Sequence, residues 1–134
     1  MTLTEKSNQI EDVGRDVSSD FDILVIDDRE ELRRLMVRVL ESEGYHVRTA
    51  ASGEEALDII EKDSGNLRLL ISDILLPQMR GTTLAAHFER YAGKGKVLLI
   101  SGSQELCEEE HHFPILAKPF SPAELISRVK DLLG

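Results

Sequence analysis

The sequence predicts an α/β domain built on a five-stranded parallel sheet, and three features carry that prediction. Short apolar runs alternate with amphipathic stretches of helical period from residue 21 to the end of the chain. The runs are continuously apolar and do not alternate with polar residues, as expected of strands covered on both faces and joined by right-handed crossovers. Most of them end in polar or charged residues, at the sheet edge where such folds place their ligands.

Ile23 to Ile26 is the first strand, ending in two aspartates, and Glu30 to Ser42 sets Leu32, Leu35, Met36, Val39 and Leu40 on one helical face. Gly44 stops that helix, and Tyr45 to Thr49 is a weaker strand suited to an edge. Ser52 and Glu55 form a capping box ahead of Ala56, Leu57, Ile59 and Ile60, a second helix closed by Gly65. Leu67 to Ile71 begins a buried strand that ends at Asp73; after Pro77 and Gly81 a helix follows through Leu84, Ala85, Phe88 and Tyr91. Val97 to Ile100 is the fourth strand, running into Ser101, Gly102 and Ser103, with a short acidic helix expected over residues 104–110. Ile115 to Ala117 is the fifth. Ser121, Pro122 and Glu124 then supply the N-cap, first-turn proline and capping glutamate of a last helix through Leu125, Ile126, Val129, Leu132 and Leu133.

A chain of 134 residues holds one ordinary domain. Residues 1–20, with no sustained period, are expected to form a flexible acidic leader, although Ile10, Val13 and Val17 suit a short contact helix, and residues 21–134 are expected to form the domain. The 16 Lys and Arg against 25 Asp and Glu leave a net charge of −9, which weighs against direct binding to nucleic acid or an anionic membrane. Cys107 is the single cysteine, so an internal disulfide is impossible and a reducing, cytoplasmic setting is expected. No stretch has the length of a membrane span.

Asp27 and Asp28, Asp73, Ser101 and Lys118 all stand at strand ends. Were the first strand to lie beside the third and fourth, three carboxylates would line one crevice with a hydroxyl and an ammonium at its rim. A hard divalent cation such as Mg²⁺ answers their repulsion. Singly, each residue has a plainer reading: the aspartates as helix caps or a strand terminus, Ser101 as a turn residue, Lys118 as a surface charge. His87 reads as a partly exposed packing residue, and His111 and His112, which follow three glutamates, as part of a solvated charged loop.

Through VIDD at 25–28, LLISDILLPQMRG at 69–81, LLISG at 98–102 and AKPF at 117–120, the chain resembles the receiver domains of two-component response regulators. The resemblance implies a flavodoxin-like (βα)5 fold with strand order 2-1-3-4-5. It implies that Asp73 accepts a phosphoryl group, becoming an aspartyl phosphate, from the phosphohistidine of a histidine kinase or histidine phosphotransfer protein. Mg²⁺ would be held by Asp27, Asp28, Asp73 and the backbone carbonyl of Leu75, with Asp28 a direct ligand and Asp27 acting through the metal or its water. Ser101 and Lys118 would contact phosphoryl oxygens, and the bond before Pro119 would be cis. Such a protein is a phosphoacceptor that catalyses its own modification and not a metabolic enzyme; it also implies an unidentified downstream protein and a weak homodimer.

Two departures from the family pattern bear on output. Ile115 stands three residues before Lys118 where the family's switch uses an aromatic residue, and Phe113 cannot replace it without a strand shift. The interval from Ser101 to Lys118 is also short, which alters the face used for the common dimer. These features keep open an alternative, a phosphorylation-independent pseudo-receiver acting as an interaction module. Leu75 is expected to slow loss of the phosphoryl group, since it cannot orient an attacking water. With no output region after Gly134, a free-standing receiver, a phosphate shuttle or sink, or the receiver of a hybrid histidine kinase is expected.

Overall fold

A computed structural model describes residues 22–102 and 112–134. Five parallel strands, β1 (Ile23–Ile26), β2 (Val47–Ala50), β3 (Leu69–Asp73), β4 (Lys96–Ser101) and β5 (Ile115–Ala117), lie side by side in the order β2-β1-β3-β4-β5. Among the described residues, four α-helices connect or follow them: α1 (Glu30–Ser42), α2 (Gly53–Asp63), α3 (Gly81–Ala92) and α4 (Pro122–Leu133). This is the flavodoxin-like order expected from the resemblance. The leader, the acidic helix expected over 104–110, Cys107 and His111 fall outside the described residues.

Alternate residues of the central strands serve different layers. Ile23, Val25, Leu69, Ile71, Leu98 and Ile100 pack with Met36 and Leu40 of α1 and Leu125 and Val129 of α4. Leu24, Ile26, Leu70 and Leu99 face the other way, onto Ala56 and Ile60 of α2 and Leu84, Ala85 and Phe88 of α3. Both faces of each strand are therefore withdrawn from water, which is why the runs read as continuously apolar. β2 has a single neighbour and three of its four residues are only half-buried, in keeping with its weaker pattern.

Helix ends follow local chemistry. Gly44, with φ +92°, follows α1 in a conformation that a Cβ disfavours. At α2 the Ser52 hydroxyl accepts from the Glu55 amide at 3.1 Å, but the Glu55 carboxylate accepts from Ala51 N–H at 2.8 Å, one residue before the position a full capping box uses. At α4 the box is complete: Ser121 and Glu124 exchange bonds of 3.1 and 2.8 Å.

Three local features, two strand starts and one connection, differ from expectation. Leu67 is buried yet precedes β3, because its N–H closes a 3₁₀ turn over Ser64–Asn66 by donating to the Ser64 carbonyl at 3.1 Å. β2 starts at Val47, two residues later than expected, since the Tyr45 amide donates back to Leu40 in α1. The third is a small antiparallel hairpin between β3 and α3, which pairs Leu75 with Arg80 and Leu76 with Met79 and has no counterpart in the apolar pattern. Among the described residues, no helix is long and apolar enough to cross a membrane.

Candidate functional site

Register assembles the site. β1 and β3 run in parallel with Ile26 opposite Ser72, so the next residues along, Asp27 and Asp73, emerge side by side. Asp73 lies opposite Ile100 on β4, which puts Ser101 one residue beyond, and Ser101 in turn lies opposite Ala117 on β5. Lys118 follows, and its amide donates to the Ser101 carbonyl at 2.8 Å. The Lys118–Pro119 bond is cis, as the resemblance implied.

Asp27, Asp28 and Asp73 each offer a carboxylate oxygen, and these oxygens all lie within 4.8 Å of one another. The Lys118 ammonium donates to Asp73 Oδ2 at 2.8 Å and stands 3.8 Å from Asp27 Oδ2. Asp73 Oδ1 accepts from the Leu75 amide at 3.1 Å. The Leu75 side chain is 55% exposed, so it stands beside the site in contact with solvent. Asp28 is exposed, Asp73 is half-buried, and Ser101 is buried at the end of β4.

Asp27 is fully buried. Its Oδ1 accepts from the Arg29 amide at 2.8 Å, whereas Oδ2 has no hydrogen-bond partner. Burial raises the Asp27 pKa; the Arg29 amide and Lys118 oppose that, Asp73 and Asp28 reinforce it, and the balance is upward.

The donor set fits a hard divalent cation. At the cluster's separations, all within 4.8 Å, each ionised carboxylate pair repels by at least roughly 3.5 kcal/mol for an effective dielectric near 20, and a single ammonium neutralises only one of the three charges. Asp27 Oδ2, buried and without a donor, faces Lys118 and the other carboxylates, so a cation would satisfy it.

Three supporting residues were missed in the sequence. The Arg33 guanidinium reaches back from α1 to donate to the Asp27 carbonyl at 2.8 Å. Ser72, fully buried, donates to the Asp73 carbonyl at 2.9 Å. A Cβ on Gly81 would lie 2.2 Å from the Asp73 carbonyl oxygen, so only glycine lets α3 start against the backbone of the acidic strand end. Gly81, ahead of an apolar helical period, was the one visible signal; the other two act on backbone atoms, which side-chain patterns do not mark. His112, outside the cluster, lies 2.9 Å from Glu89 of α3, and Phe113 and Ile115 pack on the α2–α3 side of the sheet.

Residues 23–130 match the response regulator receiver domain family. The chain is 35% identical over 123 residues to "Sensor kinase CckA" of Brucella abortus, covering 88% of this chain and 13% of that protein. It is 30% identical over 116 residues to "Transcriptional regulatory protein SrrA" of Staphylococcus aureus, covering 84% of this chain and 47% of that protein. It therefore spans less than half the length of these relatives. Among solved structures, the receiver domain of the hybrid histidine kinase CckA shares 38% identity with a TM-score of 0.75, covering 84% of this chain and 99% of that one. CheY of Borrelia burgdorferi, in a complex with CheX, BeF3 and Mg²⁺, shares 27% identity with a TM-score of 0.74, covering 85% of this chain and 90% of that one.

Proposed function

The chain belongs to the response regulator receiver domain family of two-component systems, and on that premise we propose that it takes a phosphoryl group from a phosphohistidine onto Asp73 in the presence of Mg²⁺. The observation that carries the proposal is the convergence of Asp27, Asp28 and Asp73 within 4.8 Å, with Lys118 on Asp73 Oδ2. A carboxylate is a modest nucleophile, so positioning and charge neutralisation must supply the rate. One Asp73 oxygen attacks phosphorus as the phosphorus–nitrogen bond breaks; the imidazole leaves and an acyl phosphate forms. Leu75 N–H and Lys118 fix the orientation of the carboxylate, and Lys118 stands where charge on the transferred oxygens grows.

Asp27, Asp28 and Asp73 would hold Mg²⁺ together with the Leu75 carbonyl, and the ion would neutralise charge on the phosphoryl oxygens. The BeF3 and Mg²⁺ bound in the CheX–CheY complex of Borrelia burgdorferi support the same reading here. Ser101 is proposed to hydrogen-bond a phosphoryl oxygen from the neighbouring strand end. The donor, a histidine kinase or phosphotransfer protein, has an apolar cleft of about 460 Å³ beside the site, formed by Leu32, Leu35, Pro119 and Phe120 with Arg29 and Lys118 at its rim. Leu35 is 44% exposed there.

Incubation with acetyl phosphate, with and without Mg²⁺, followed by intact mass measurement tests the assignment. The expected result is a single Mg²⁺-dependent phosphoryl adduct that Asp73→Asn abolishes. An adduct that persists in that variant, or none in the native chain, would overturn it, and the second outcome would favour the interaction-module alternative.

A further inference from the structure

We propose that the acidic segment 10–20 of this chain seats in a groove at the amino-terminal edge of the sheet, opposite the aspartate cluster. The groove encloses about 440 Å³ between the 3₁₀ turn, the start of β4 and the end of α4; Leu67, Leu132 and Leu133 give it apolar walls, and Arg68, Lys94 and Lys96 a basic rim. Among the described residues the Lys94 and Lys96 side chains make no hydrogen bond or ion pair, although both are exposed and the protein carries a net charge of −9.

Chain continuity selects the occupant. The first described residue, Asp22, accepts at its carbonyl from the Arg68 and Leu69 amides at 2.8 and 3.0 Å, and its carboxylate lies 4.0 Å from the Arg68 guanidinium. Asp22 therefore sits beside Arg68 at the rim of the groove, and residues 10–20 come shortly before it in sequence. They bring Glu11, Asp12, Asp16 and Asp20 against a single Arg15, interleaved with Ile10, Val13 and Val17. Charge meets opposite charge, and apolar side chains meet an apolar wall.

The energetics are modest and sufficient. Exposed ion pairs are individually weak, but a short tether holds the segment at an effective concentration on the order of millimolar. Intrinsic affinity of the same order then gives substantial occupancy. A second basic cleft lies between α1 and β2, lined by Arg33, Arg34, Arg38 and Glu41. There Arg34 is already paired with Glu30 at 2.7 Å and Arg33 is bound to the Asp27 carbonyl, which leaves less unsatisfied charge.

Hydrogen exchange of the full chain, read by mass spectrometry at short labelling times, tests the proposal. Amides of residues 10–20 are expected to exchange several-fold more slowly than an unstructured peptide of the same sequence. Lys94→Glu with Lys96→Glu should remove that protection, Asp16→Lys with Asp20→Lys should do the same, and the four changes together should restore it. Circular dichroism and phosphorylation by acetyl phosphate should be unchanged throughout, since Lys94 and Lys96 are exposed and away from the acidic site and Asp16 and Asp20 precede the domain in sequence. Exchange at the free-peptide rate in the native chain, protection that survives the Lys94 and Lys96 reversal, or protection lost on Arg34→Glu with Arg38→Glu would overturn the proposal. So would protection that falls on dilution, which would place the segment on a second copy.

Discussion

At Asp27, burial outweighs the stabilising Arg29 amide and Lys118 ammonium, so the carboxyl holds its proton to higher pH than usual. Between the ordinary carboxylate value near 3.9 and the raised one, the folded chain binds a proton that the unfolded chain has released. With no divalent ion bound, this residue's contribution to stability is thus most favourable at low pH, declines as pH rises through that window, and is constant above it. Asp27→Asn should therefore stabilise the metal-free protein at pH 7 and flatten that part of the pH profile, as read by urea unfolding. A second prediction concerns Leu75, whose exposed side chain beside Asp73 offers an attacking water no polar partner. Leu75→Asn should shorten the phosphoryl lifetime several-fold, well short of the roughly 100-fold that a positioned acid–base group gives; equal or slower loss in a time course would refute it. The strand-terminal acids, Ser101 and Lys118 were legible because they interrupt apolar runs. Arg33 and Ser72 were not, because what they bind is the backbone of another residue.

Helices were more legible than the connections between them. The α1 period and the Ser121–Glu124 box mark their elements by side-chain chemistry that needs no tertiary partner. The Leu75–Arg80 hairpin gave no comparable signal: each strand is two residues long, and its turn puts Gln78 at φ +66°, a conformation a glutamine does not advertise. That hairpin delivers Gly81 to the back of Asp73. Gly81→Ala should push α3 away from the strand end, lowering stability by about 1–3 kcal/mol and slowing phosphorylation by acetyl phosphate. An unchanged urea midpoint would show that the close approach of α3 can relax at little cost.

For the whole molecule, folding energy and the proposed phosphoryl chemistry meet in one acidic cluster. An ion that binds only the folded chain adds about 2.7 kcal/mol at one hundred times its Kd, so Mg²⁺ should raise the Tm of the native protein and lose that effect in Asp28→Asn. Calorimetry with and without Mg²⁺ checks it; equal shifts in both proteins would place the ion elsewhere. The parallel sheet was legible from buried runs on both faces, but the order of its strands came from family likeness, since periodicity cannot say which strands are neighbours. The two outer strands have a consequence of their own. β2 and β5 are four and three residues long, and β2 carries Arg48, bound at 2.8 Å to Asp63. Each offers a visiting polypeptide too brief a template for continued strand addition, and β2 a charged one as well, so a concentrated solution of folded molecules should resist fibre growth until the sheet itself comes apart.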